Sequence, residues 1–322
     1  MGGGRVKIAI LCKTEIHIQH LVERLRPWDA TVCRTKEQLQ AAIPDADVLI
    51  ALNQGFHYGV IDAGMLATAR RLKFIQHYGV ATDATDVEAA TKRGIRVATQ
   101  PGQNSRSVAE PSLFLLLALG RQMPMGQRLL REGRMGEAPC VELAGKTLCI
   151  VGLGIIGKML VEMGRGLSMN VIGVRRNPKT DDLAGTGISK VHGTNELHAA
   201  LAAADFTILL LPLNPETFDL IGDEEFRVMK RTGMLINMSR GPHVNREALE
   251  RALDAGEIAG FASDVYWTEP ADPADPLLGD ERVIITPHLG GSAVECIQRT
   301  VDRIHANLTR FERNEPLESL VN

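Results

Sequence analysis

Val151-Gly152-Leu153-Gly154-Ile155-Ile156-Gly157 lies near the middle of a chain of 322 residues, and the reading of the rest turns on it. An apolar run of strand length, Thr147 to Val151, precedes it. A helical stretch from Lys158 to Leu167 follows, and then a second apolar run, Val171 to Val174. Strand, glycine turn, helix and strand form the unit that binds dinucleotides. Gly152 permits the tight turn, Gly154 lets main-chain N–H groups approach a pyrophosphate, and Gly157 lets helix and strand pack closely. The helix then opens with the N–H groups of Ile155, Ile156 and Gly157 directed at the phosphates. The glycine spacing alone would describe an ordinary turn; the flanking strands and helix give it the nucleotide-binding meaning.

The same strand–helix alternation extends outward in both directions. Towards the N-terminus, apolar runs at Val6–Leu11, Thr31–Cys33, Asp47–Leu52, Arg71–Gln76 and Ile95–Ala98 predict parallel strands. Helices are expected between them, one capped by Thr14 and one opened by Thr35 and Gln38 in a capping-box pattern. Towards the C-terminus, Thr207–Leu211, Met234–Asn237, Ala259–Ala262 and Val283–Ile285 predict further strands, and Ser292 to about Arg313 an amphipathic helix. Gln100-Pro101-Gly102 marks a crossover. A long apolar helix, Val108–Met123, is expected after it, with Pro111 tolerable if the helix starts near Ser107. Residues 122–140, rich in Met, Arg and Gly, are polar enough to protrude. The expected fold is therefore two doubly wound parallel-sheet α/β domains. A Rossmann nucleotide-binding domain (102–290) is inserted in a flavodoxin-like substrate domain (1–101 and 291–322), with the site in the cleft between them.

Bulk composition narrows the functional classes. The chain is 44% hydrophobic and 23% charged with a net charge of −3. That composition is ordinary for a globular protein and makes no electrostatic case for nucleic acid or anionic membrane as partner. No apolar run reaches the ~20 residues of a membrane span, and no signal peptide is apparent. Cys12, Cys33, Cys140, Cys149 and Cys296 are odd in number and contain no C-x-x-C pair. They predict a reducing, cytoplasmic setting and neither a disulfide framework nor a metal site.

Four polar residues follow predicted strands of the second unit: Arg240, Asp264, Glu269 and His288. Singly, each has an ordinary reading as a cap, turn or loop residue. Parallel topology, however, carries all four to one sheet edge, beside the nicotinamide end of a bound dinucleotide. A guanidinium offers a planar fork for a carboxylate. An imidazole exchanges a proton with a hydroxyl or carbonyl oxygen, and a neighbouring carboxylate fixes its tautomer. With a nicotinamide to carry hydride, this set describes a 2-hydroxy acid/2-keto acid oxidoreductase.

The chain resembles the D-2-hydroxyacid dehydrogenase family over nearly its whole length. The resemblance is carried by Tyr78-Gly79-Val80-Ala81-Thr82-Asp83, Asn104–Glu110, the glycine loop, Leu211-Pro212-Leu213-Asn214-Pro215-Glu216-Thr217, Ile236–Gly241, Asp264–Pro270 and Thr286–Gly291. It implies His288 as acid/base, Glu269 as its partner, and Arg240 as clamp on the substrate carboxylate and carbonyl. Main-chain N–H groups at Val80 and Ala81 would bind the same carboxylate, and Asp264 the nicotinamide carboxamide. Pro212 and Thr217 would line the cofactor, and homodimers would form through the nucleotide domain. Ala81, Ala84 and Pro111 depart from residues common in the family. Glu269 stands where the formate dehydrogenase branch has Gln, and Val80 where the phosphite-oxidising branch has Lys.

Arg175, followed by Arg176, ends the strand after the glycine loop, where NAD-preferring members have an acidic residue for the ribose 2′-hydroxyl. A guanidinium there suits a 2′-phosphate, so NADP(H) is expected over NAD(H). The full expectation is NADPH-dependent reduction of a small 2-keto acid, of glyoxylate or hydroxypyruvate type, to the D-2-hydroxy acid. The alternatives are an NAD-dependent dehydrogenase of a larger or phosphorylated D-2-hydroxy acid and a non-catalytic, nucleotide-sensing corepressor-like protein.

Overall fold

The computed structural model describes residues 5–52, 59–179, 183 and 185–322. The chain forms two compact units, residues 1–104 with 291–322 and residues 105–290.

In the first unit the strands are β1 (Lys7–Leu11), β2 (Asp29–Cys33), β3 (Val48–Ala51), β4 (Phe74–His77) and β5 (Arg96–Ala98). They pair parallel in the order β2-β1-β3-β4-β5, a flavodoxin-like arrangement. The helices are α1 (Glu15–Arg24), α2 (Lys36–Ala42), α3 (Ala63–Thr68) and α4 (Val87–Lys92). Strands buried on both faces need continuous apolar runs, and β3 (Val-Leu-Ile-Ala) is buried at every residue. One face of the sheet packs Leu39, Ile61, Leu66 and Ile75. The other packs Ile8, Ile10, Leu21 and Phe74 against Ile297, Val301, Ile304 and Leu308 of the C-terminal helix, Val294–Glu312.

Local capping differs in detail from expectation. Thr35 Oγ1 accepts from Gln38 N–H (3.2 Å), but the Gln38 side chain accepts from Arg34 N–H (2.6 Å), so the reciprocal half of the box reaches one residue further back. Thr14 precedes α1 without a side-chain cap. The strand expected at Arg71–Gln76 is confined to Phe74–His77, where it pairs with β3 from Val48 onward.

The second unit opens with α5 (Ser105–Gly120) and α6 (Met123–Arg131). Its strands are β6 (Thr147–Val151), β7 (Asn170–Val174), β8 (Lys190–His192), β9 (Phe206–Leu209), β10 (Met234–Asn237), β11 (Gly260–Ser263) and β12 (Val283–Ile285). They pair in the order β12-β11-β10-β9-β6-β7-β8, all parallel. Counted within the unit, this is the Rossmann order with one strand added, and the topological switch falls between β6 and β9. Helices α7 (Ile155–Gly166), α8 (Leu197–Ala203), α9 (Asp223–Val228) and α10 (Arg246–Asp254) cover the sheet, and the C-terminal helix of the first unit is α11.

Pro111 lies inside α5 rather than in its first turn, since the helix begins at Ser105. Lacking an N–H, Pro111 cannot serve the carbonyl of Ser107. The helix continues because Val108, Ala109, Leu115, Leu116 and Leu119 are buried in the core.

Candidate active site

The glycine loop has the steric constraints its sequence suggested. Gly152 has φ +110°, and a Cβ there would lie 2.2 Å from the Leu210 carbonyl oxygen. A Cβ on Gly157 would lie 2.3 Å from the Gly152 oxygen, so α7 packs onto its own turn. Nothing lies within 4 Å of a Cβ on Gly154, which caps α7 without a side chain. The open approach and the leading N–H groups of Ile155, Ile156 and Gly157 fit a dinucleotide pyrophosphate.

Arg175 immediately follows β7, and its N–H donates to the His192 carbonyl at the end of β8 (3.1 Å). Arg176 Nη2 meets Glu216 Oε2 at 2.9 Å, with both side chains largely exposed. Glu216 belongs to the turn after β9. There Thr217 Oγ1 donates to the Pro212 carbonyl (2.8 Å), and Asn214 Oδ1 accepts from Glu216 N–H (2.9 Å) and Thr217 N–H (3.1 Å). Pro212 and Thr217 thus belong to one self-bonded loop beside the switch point.

Three strand ends gather the remaining polar residues. His288 Nδ1 lies 2.8 and 3.0 Å from the two carboxylate oxygens of Glu269, and both side chains are half-buried. Burial pushes the Glu269 carboxyl up. The hydrogen bond and charge of His288, the Tyr266 N–H (3.1 Å to Oε1) and the Arg240 guanidinium outweigh it, so the group titrates below the ordinary glutamate range. Because Nδ1 is held by the carboxylate, proton exchange with a substrate falls to Nε2.

His288 has φ 54°, in the left-handed region. Asp264, buried at the end of β11, holds that turn. Its Oδ1 accepts from Thr286 Oγ1 (2.6 Å) and Leu289 N–H (2.8 Å), and its Oδ2 from Gly290 N–H (2.7 Å). The carboxylate therefore clasps the residues flanking His288.

The loop carrying Glu269 is braced from α10. Arg246 binds Asp275 through both terminal nitrogens (2.5 and 2.6 Å) and lies over the Trp267 ring at 5.2 Å and the Tyr266 ring at 5.8 Å. Tyr266 Oη also bonds Asp275, and Trp267 Nε1 donates to the Val244 carbonyl (2.6 Å). Arg246 and the tyrosine hold the Asp275 carboxyl far below its usual range.

Arg240 follows β10 in extended conformation, and its Nη1 donates to the Ser239 carbonyl (2.7 Å). The main chain around it rests on buried side chains that sequence reasoning passed over. Asn237 Nδ2 donates to the Arg240 carbonyl (2.7 Å), and Ser239 Oγ accepts from Leu211 N–H (2.8 Å). His243 lies against Arg240 and Pro212. The signal available was position alone: all three lie within three residues of Arg240, in a strand-end segment whose polar side chains have few places to go but inward.

Val80 and Ala81 lie in the first unit, in the turn after β4, where Val80 is exposed. The turn is anchored by Tyr78 N–H to the Ala51 carbonyl and by Gln100 N–H to the Gly79 carbonyl, both 2.9 Å. Asn53, Gln54 and Gly55, which follow β3 in the chain, fall outside the described residues.

The chain is similar in sequence and fold to known proteins. Residues 113–290 match the family model for the NAD-binding domain of D-isomer specific 2-hydroxyacid dehydrogenases. A glyoxylate reductase of Korarchaeum cryptofilum is 35% identical over 321 residues, covering 97% of this chain and 92% of that one. A D-3-phosphoglycerate dehydrogenase of Methanocaldococcus jannaschii is 36% identical over 305 residues, but the match spans only 56% of that longer protein. An NADPH-dependent glyoxylate/hydroxypyruvate reductase of Sinorhizobium meliloti, solved with NADP and malonate, superposes with a TM-score of 0.85 at 25% identity, covering 99% of this chain and 97% of that one. The chain belongs to the D-isomer specific 2-hydroxyacid dehydrogenase family and is an NAD(P)-dependent oxidoreductase within it.

Proposed function

We propose that the enzyme reduces a small 2-keto acid, of glyoxylate or hydroxypyruvate size, to the D-2-hydroxy acid with NADPH as reductant. The observation that carries the reading is the Nδ1 contact of His288 with Glu269 at 2.8 Å in the unit that also holds the glycine loop and Arg240. The nicotinamide, when bound, supplies or accepts the hydride. His288 delivers the proton to the substrate oxygen, and Glu269 fixes the ring's tautomer and supports its protonated form. Arg240 holds the substrate carboxylate and carbonyl, with the Val80 and Ala81 N–H groups as the first unit's contribution. Asp264 is proposed to direct a lone pair to the carboxamide in addition to its hold on the His288 turn.

The preference for NADPH is supported by Arg175 at the end of β7, with Arg176 beside it, and by the NADP-bound Sinorhizobium relative. A carboxylate in that place would repel a 2′-phosphate; a guanidinium attracts it. The longer phosphoglycerate dehydrogenase relatives favour a second reading, dehydrogenation of a phosphorylated hydroxy acid. Steady-state kinetics with glyoxylate, hydroxypyruvate, pyruvate, phenylpyruvate and 3-phosphoglycerate, each with both cofactors, separates the two. A tenfold preference for NADH, or turnover confined to the phosphorylated substrate, overturns the first.

A homodimer built through the nucleotide-binding unit is part of the proposal. Leu130 (58% exposed) and Met135 (77% exposed) are exposed apolar residues on and after α6, and Phe114 and Leu117 are exposed on α5. Light scattering at micromolar concentration checks the assembly state. The five free thiols suit a reducing, cytoplasmic compartment.

A further inference from the structure

His243 belongs to none of the motifs that carry the resemblance, and the acid/base and clamp chemistry does not use it. It closes the short turn Gly241–His243 after β10 and has no exposed surface. A buried histidine is usually a core residue whose ring finds whatever partners packing offers. Here both ring nitrogens are committed to main-chain groups of two loops at the site. Arg240 N–H donates to Nδ1 (3.1 Å), and Nε2 lies 3.3 Å from the Pro212 carbonyl. Nδ1 is also 3.0 Å from the Arg240 carbonyl, but that oxygen already accepts from Asn237 Nδ2 at 2.7 Å. The Arg240 N–H needs an acceptor and the Pro212 carbonyl a donor. The consistent assignment is therefore the tautomer with its proton on Nε2. Burial lowers the ring's proton affinity, and the Arg240 charge adds to that against the two carbonyls, so the imidazole stays neutral.

Towards the Glu269 loop the same turn has no slack. A Cβ on Gly241 would lie 2.3 Å from the Tyr266 carbonyl carbon and oxygen and 2.5 Å from Trp267 N. The Arg240 turn is thus packed on the main chain of the Glu269 loop and bonded to the His243 ring. Removal of the ring leaves the Arg240 N–H without its acceptor.

We propose that His243 is a positioning residue whose Nδ1, by accepting the Arg240 N–H, holds the Arg240 turn and thereby aims the Arg240 guanidinium at the substrate carboxylate. The proposal rests on the reading of Arg240 as the clamp, and the experiment includes Arg240→Ala so that the two fail separately. The His243→Leu, His243→Asn and His243→Gln variants are compared for keto-acid KM and kcat at saturating NADPH, using glyoxylate or whichever 2-keto acid of the panel the wild type reduces fastest. NADPH Kd is measured by nucleotide fluorescence, and melting temperature is recorded alongside.

Asn places an oxygen where Nδ1 stands; Gln reaches the Nε2 position and leaves Arg240 N–H unpaired. The Leu and Gln variants are expected to raise KM about tenfold, the Asn variant to stay within about threefold of wild type, and NADPH Kd to change little in any of them. A role in stability alone would lower the melting temperature without that order of KM values. An unchanged KM in a folded Leu variant overturns the proposal, as does rescue by Gln equal to rescue by Asn. If the Leu variant does not fold, the Asn/Gln comparison decides by itself. If Arg240→Ala leaves KM unchanged, the clamp reading falls; if it raises KM while the His243 series stays flat, the His243 proposal falls alone.

Discussion

At the scale of single residues, His288 is held where its backbone would not settle unaided. The left-handed region costs a non-glycine residue of the order of 1 kcal/mol, and the three hydrogen bonds that Asp264 accepts from Thr286, Leu289 and Gly290 keep the turn in place. The ring is thereby set against Glu269 before any substrate arrives. His288→Ala is expected to lower kcat by about 10²–10⁴-fold, the usual worth of a placed acid/base, with NADPH binding retained. Wild-type kcat in that variant would remove His288 from the chemistry. Arg175→Ala is expected to cost about tenfold or more in kcat/KM for NADPH and little for NADH, since only the former carries the phosphate that charge-assisted bonds would engage. Equal losses with both cofactors would point to a structural role for Arg175. At this scale the sequence was legible wherever chemistry demands a residue type: Arg240, Glu269 and His288 all lie in the second unit, and the last two touch. It was silent on His243 and Asn237, because what they do depends on main-chain groups dozens of residues away or across a turn, and no spacing encodes those.

At the scale of elements, the turn between β6 and α7 shows how steric limits and binding coincide. Gly157→Ala would put a methyl group against the Gly152 carbonyl, and the helix would have to back away from the strand. Overpacking of this kind typically costs roughly 1–3 kcal/mol. Urea denaturation should report that loss, and NADPH affinity should fall with it because the leading N–H groups move. Unchanged urea midpoint and cofactor affinity would mean that the turn is softer than its geometry indicates. Central parallel strands such as β3 and β10 could be read from their unbroken apolar runs, which burial on both faces requires. Met234–Asn237 matches the expected span to the residue. The edge strand β8 (Lys190–His192) and the short α3 could not. β8 has three residues, one of them charged, and is recruited by the neighbouring β7. α3 is six residues stabilised by the Asp62 cap and by burial of Met65 and Leu66. Neither carries a periodic signal long enough to stand above the background.

At the scale of the whole molecule, two buried histidines of the first unit set a pH dependence. Burial pushes His17 down to about 4, with the neighbouring His20 charge adding to the effect and the Gly291 carbonyl opposing it. Burial does the same to His77, against the charge of Asp83. In the unfolded chain both titrate near ~6.5. Between those values the unfolded state holds protons that the folded state refuses. Stability is therefore complete above about 6.5 and declines as pH falls towards 4, by up to about 1.4 kcal/mol per pH unit for each ring. Denaturation midpoints at several pH values should trace that decline, and His77→Asn should flatten part of it. A wild-type midpoint constant from pH 7 to 4.5 contradicts the prediction.

The division of the first unit between residues 1–104 and 291–322 also matters during synthesis. The ribosome makes β1 to β5 before residues 105–290, yet α11, whose Ile297, Val301, Ile304 and Leu308 cover one face of their sheet, emerges only after them. Residues 105–290 are translated in between, which at ordinary elongation speed takes roughly 10–40 s. For that interval the nascent sheet keeps Ile8, Ile10 and Phe74 without their cover, while the contiguous nucleotide unit can fold as soon as it clears the exit tunnel. The half-built unit is thus the one whose apolar surface is exposed during synthesis. A message truncated before α11 would yield a polypeptide whose nucleotide-binding unit is whole and whose first-unit sheet is prone to aggregation.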